Sequence, residues 1–177
     1  MKNCIQKNSG ITLIALTITI IIMMILASIS IYEGKEIIRR SKMQTLETNM
    51  LTIQAKSKSY AEEIESKIWT ECDKSSARND EFSNRGFDNA TSTVTTEQLN
   101  QISDEIKNSY VAYTVNKYAL KNMGLGELKE GEYLIIFNEN DYNLMDVIYI
   151  NGAEYNGNIY YSLSSLQEAI ENKWKIF

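Results

Sequence analysis

Between Lys7 and Glu33 the chain runs for 25 residues without a charged side chain. The apolar heart spans Ile11 to Ile31, broken only by alanines and by Thr12, Thr17, Thr19, Ser28 and Ser30. A helix rises about 1.5 Å per residue, so ~20 such residues cross a hydrocarbon layer of ~30 Å. The hydroxyls do not oppose this, because Thr and Ser can donate to a carbonyl one turn back. A buried core helix rarely needs so long an apolar run. Residues 11–32 are therefore expected to form a transmembrane helix. Three arrangements fit. One is a secretory signal peptide, with Lys2 and Lys7 as its basic start and Ser28-Ile29-Ser30 as a small-x-small cleavage site. Its apolar core would exceed the usual ~7–15 residues. The second is a permanent single-pass anchor. The third is a short leader removed ahead of a helix that stays on the mature chain.

The third rests on Lys7-Asn8-Ser9-Gly10-Ile11-Thr12-Leu13-Ile14-Ala15. A basic leader ends in glycine and the apolar helix starts at once. This resembles the leader of type IV prepilins and of type II secretion pseudopilins. The resemblance implies cleavage by a prepilin peptidase between Gly10 and Ile11 and methylation of Ile11. It also implies helix packing in the membrane through Ile14, Ala15, Ile18, Ile21, Ile22 and Ile25. Partners would be the peptidase, other pilin-like subunits and the lipid bilayer. The C-terminal part would lie outside the cell, assembled into a surface filament. The family usually carries Phe or Met after the cut and glutamate at the fifth mature residue. Ile11 and Ala15 stand there instead, so a carboxylate docking onto a neighbour's amine is missing. Counting Lys and Arg alone gives the opposite orientation, since Lys35, Arg39, Arg40 and Lys42 outnumber Lys2 and Lys7.

Beyond the membrane segment no Gly-Pro punctuation stops the helix. Leu46, Met50, Ile53, Tyr60, Ile64 and Ile68 form one apolar stripe, with Ser57 where an apolar residue is missing. The expected fold is α+β and pilin-like. A long N-terminal helix, half in the membrane and half amphipathic, packs on a small antiparallel sheet with short helices. The segments are a leader at 1–10, the membrane helix at 11–32 and its amphipathic continuation at 33–69. A polar loop at 70–96 and an α+β region at 97–177 follow. Thr95 and Gln98 form a capping box where the last begins, and within it 110–115, 132–137, 144–150 and 159–161 read as strands. Asn151-Gly152 ends the third of these, and Asn156-Gly157 is a tight hairpin turn. Ser162 or Ser164 starts a last helix with Leu163, Leu166, Ala169, Ile170 and Trp174 inside. Three meandering strands with helices on one side complete the layer.

Composition narrows the chemistry. The chain of 177 residues has no His, no Pro and 2 Cys, with net charge −5. Histidine-based triads and His-ligated zinc are excluded, and the acidic balance gives no footprint for nucleic acid. Cys4 falls in the leader, leaving Cys72 alone after processing. There is no phosphate-cradling glycine loop, no dinucleotide turn and no metalloprotease motif, so neither a catalytic residue nor a cofactor is expected. Asn138, Asn140, Asp141, Asn143 and Asp146 crowd oxygen atoms together, which suits a polar hairpin turn or a calcium site. Nine of eleven tyrosines fall after residue 109. They fit either strands or a binding surface. The alternative function is a secreted or membrane-anchored binding module that uses this surface.

Overall fold

The computed structural model describes residues 13–70, 73–143 and 145–174, without the side chains of 29–33, 36 and 172–174. The chain divides into two compact units, Met1–Lys42 and Met43–Phe177. The boundary lies ten residues beyond the expected end of the membrane segment. Helix α1 is continuous from Leu13 to Lys67.

The second unit is α+β. Its sheet has five strands in the order β1 (Phe87–Asn89), β2 (Tyr110–Val115), β3 (Tyr133–Asn138), β4 (Met145–Tyr155) and β5 (Asn158–Ser162), each antiparallel to the next. Alternation along the strands explains two apolar layers. Tyr113, Val115, Tyr133, Ile135, Phe137 and Val147 pack with Met50, Ile53, Ala61 and Ile64 of α1 and with Ile68 in the 3₁₀ turn that follows it. Leu163 and Leu166 of helix α6 (Leu163–Trp174) close the same layer. The intervening residues Ala112, Leu134, Ile136 and Ile148 pack with Ala90, Ile102 and Ile106.

Helices on one side of the sheet were expected; both faces are covered. The reason is visible in β3, where Tyr133 to Phe137 are all buried. An apolar run of both parities needs cover on both faces. The second face takes helices α3 (Thr96–Leu99) and α4 (Asp104–Lys107), the first opened by the Thr95–Gln98 capping box.

The expected polar loop at 70–96 is also corrected. It holds helix α2 (Lys74–Asn84), strand β1 and a 3₁₀ turn, Thr91–Thr93. Asp73 caps α2 by accepting from the Ser76 N–H at 3.1 Å. The segment is polar because few side chains turn inward, but these are large. Phe82 and Phe87 are fully buried. Phe82 stacks on Tyr113 with ring centroids 4.6 Å apart, and Tyr142 stacks on Phe137 at 5.0 Å. Two aromatic side chains thus order a stretch whose average composition is hydrophilic.

Strand β4 does not stop at Asn151-Gly152. Gly152 adopts φ 68° and the β4–β5 register shifts between Ile148 and Ala153, so the strand bulges and continues to Tyr155. Asn156 (φ 51°) and Gly157 (φ 81°) then make the expected two-residue turn. Helix α5 (Lys117–Asn122) is capped by Asn116, which accepts from Tyr118 and Ala119 N–H groups.

Candidate functional site

In the first unit every residue from Leu13 to Ser28 is exposed. Ile14, Ile18, Ile21, Ile22 and Ile25 recur at helical spacing, so they share one face, and each leaves half or more of its surface uncovered (50–69%). Ala15 lies beside them, exposed like its neighbours. Leu13, Leu16, Ile20, Met23, Met24 and Leu26 extend the apolar surface around the helix. Thr17 and Thr19 donate to the carbonyls of Ile14 and Leu16 at 2.8 and 2.7 Å, and Ser28 donates to Met24 at 2.8 Å. These hydroxyls are satisfied within the helix, as are those of Thr48 and Thr52 further along it. A contiguous apolar surface of this extent is rare on monomeric soluble proteins. Arg39, Arg40 and Lys42 follow on exposed positions.

Among the described residues no helix is long and apolar enough to cross a membrane. Side chains are described without interruption only from Leu13 to Ser28 in this stretch, short of the ~20 residues a span needs. The rest of the expected 11–32 segment, with the side chains of 29–32, lies outside the described ones. Gly10 and Ile11, the expected cleavage and methylation positions, also lie outside the described residues, as do Cys4 and Cys72.

The second unit carries three polar constellations. Asn138 accepts from the N–H groups of Asn140 and Asp141 at 2.8 and 3.1 Å, and Asp141 accepts from Asn143 at 2.9 Å. These side chains close a hairpin turn on themselves. Asp146 stands apart from them. It is 3% exposed, accepts from Val147 N–H at 2.7 Å and receives the Ser164 hydroxyl at 2.5 Å, at the start of α6. Burial raises its pKa, opposed by the Ser164 and backbone hydrogen bonds. Among the described residues no cluster of three or more acidic, His or Cys side chains could hold a metal ion.

The second constellation lines a 350 Å³ pocket bordered by Glu62, Glu65, Arg78, Asp141 and Tyr142. Arg78 bonds to Glu65 of α1 and covers the Tyr142 ring. Burial pushes the Tyr113 and Tyr142 hydroxyls up from their ordinary range. The third is a groove of 620 Å³ where Asn100–Ser103 faces Asn158–Tyr160 and the start of α6. Gln101 spans it, with its side-chain amide on β5. Neither Arg78 nor Gln101 stood out in the sequence. Asp146 carried a signal: a carboxylate inside an apolar strand must be hydrogen-bonded when buried.

The late tyrosines differ in exposure, and Tyr110, Tyr149, Tyr160 and Tyr161 are half-buried. Tyr113, Tyr133, Tyr142 and Tyr155 are buried, and among those after residue 109 only Tyr118 is widely exposed. No protein-family model, curated protein or solved structure matches this chain.

Proposed function

We propose that this chain is a structural subunit of a type IV pilus-like or type II secretion-like filament. A prepilin peptidase cuts after Gly10, Ile11 becomes the methylated N-terminus, and the α+β unit lies outside the membrane. The observation that carries this reading is α1. One unbroken helix presents apolar side chains on all sides through its first turns. Further on it buries a single stripe within an antiparallel α+β unit. A helix apolar all round is matched to lipid or to like helices, whereas a one-sided stripe is matched to a soluble core. The leader Lys7–Gly10 adds the processing signal that the resemblance rests on.

In this role the exposed isoleucines are the adhesive surface. In hydrocarbon, helix association relies on close van der Waals packing, which the Ile14–Ile25 face and the small Ala15 permit. Because Ala15 replaces the usual carboxylate, assembly proceeds without a buried ion pair and without its desolvation cost.

The test is the mass of the mature N-terminus after co-expression with a prepilin peptidase. The expected product begins at residue 11 and carries one methyl group. Gly10→Leu should leave the full-length chain, because the cut requires a small residue. A mature chain starting near residue 31 instead indicates ordinary signal peptidase and rejects the proposal.

A further inference from the structure

An open sheet has two edges, and this one guards them differently. β1 is three residues long and carries Asp88, and shortness and charge both discourage pairing with another chain. β5 (Asn158-Ile159-Tyr160-Tyr161-Ser162) has five residues, no charge and no proline. It has Gln101 instead. The Gln101 Nε2 donates to the Ile159 carbonyl at 2.8 Å, and its Oε1 accepts from the Tyr161 N–H at 2.7 Å. Those are the outward-facing main-chain groups that a sixth strand would use, and the carboxamide supplies the same donor and acceptor. The side chain is fastened in turn. Ser165 donates to Oε1 at 3.0 Å and Ser162 donates to the Gln101 carbonyl at 2.7 Å.

We propose that the β5 edge is a self-pairing surface, held closed by Gln101, whose partner is β5 of a second copy of this chain. The register supports that partner. Ile159 and Tyr161 point their main-chain groups away from β4. An antiparallel pair centred on Tyr160 therefore sets Ile159 opposite the second copy's Tyr161 in both directions, and each such pair exchanges two hydrogen bonds. The facing side chains are aliphatic and aromatic, a favourable cross-strand match, and no like charges meet along the strand. The groove beside the edge gives the Gln101 side chain room to swing aside while Ile102 stays in the core. The proposal does not depend on how the N-terminus is processed.

The test is disulfide capture on the full chain in detergent micelles, with Cys4→Ser and Cys72→Ser and one new cysteine. Tyr160→Cys sits at the centre of the pairing, where opposed Cα atoms come within disulfide reach. Asp88→Cys on the β1 edge is the control for association through α1. Adding Gln101→Ala should raise the Tyr160→Cys dimer roughly tenfold, as two net hydrogen bonds stop competing, and leave the control unchanged. Gln101→Met keeps the bulk and removes the amide, and should behave like Gln101→Ala if the smaller variant fails to fold. A Tyr160→Cys dimer that does not respond to either folded variant, or that rises in step with the control, overturns the proposal.

Discussion

The guanidinium of Arg78 lies over the ring of Tyr142, 4.1 Å from its centroid, while its Nε bonds to Glu65. One side chain of α2 thereby joins α1 to the loop before β4. The Arg78 side chain is only 13% exposed, so the contact is shielded. Arg78→Ala should cost ~1–3 kcal/mol in urea unfolding. Arg78→Lys should recover only part of it, because an ammonium lacks the flat fork that stacks and pairs at once. Full recovery by lysine would show that charge alone matters.

Ser57 is fully buried and its hydroxyl has no hydrogen-bond partner. It occupies the gap in the α1 stripe between Ile53 and Ala61. Ser57→Ala removes the stranded hydroxyl and improves helix propensity, so the denaturation midpoint should rise, by ~0.5–1 kcal/mol in stability. A loss of stability would mean that the hydroxyl is paired in solution.

For Asp146 the pH dependence has a definite sign. Burial holds its carboxyl above the ordinary value of 3.8, so the native chain binds this proton more tightly than the unfolded chain. Its contribution is complete below 3.8 and is lost as pH rises through the folded value. Asp146→Asn keeps an oxygen for the Val147 N–H and offers an amine to Ser164. The variant's advantage over the wild type should be largest near about pH 7 and shrink towards about pH 4. A pH-independent difference between their unfolding free energies contradicts this.

Gly152 is required at the β4 bulge. A Cβ there would lie 2.5 Å from Ile159 Cγ2 and 2.8 Å from Tyr161 Cε1, at φ 68°. Gly152→Ala should therefore destabilise by ~1–3 kcal/mol, through backbone strain and overpacking together. Thermal unfolding measures it directly, and a melting temperature at the wild-type value would mean that β5 yields freely.

Both apolar layers lie within Met43–Phe177. A fragment beginning at Glu36 should accordingly fold without the apolar turns, giving a single cooperative melt. A fragment with helical signal but no cooperative transition would place part of the core upstream.

The sequence made local features legible. The α1 stripe, the Thr95 capping box and the Asn156-Gly157 turn each depend on residues close in the chain, and each lies where periodicity or turn chemistry put it. α2 and β1 escaped because Phe82 and Phe87 gain their meaning from Tyr113 and Phe137, far along the chain. The end of β4 is not legible, because Gly152 is equally good at stopping a strand and at bulging one. For the candidate site, the apolar face from Ile14 to Ile25 was readable as composition. The Gln101 contact was not, since a lone glutamine carries no periodic signal and its partners lie about 60 residues away.

The packing of α1 against β3 and β4 also sets an order of events in time. Ile64 and Ile68 emerge from the ribosome well before Val147, which shares their core. The gap is roughly 80 residues, or about 4–16 s at ~5–20 residues per second. For that interval the stripe from Met50 to Ile68 has no sheet to cover it. The nascent chain thus carries a second sticky helix segment directly behind its first. A holding chaperone would act on that stripe.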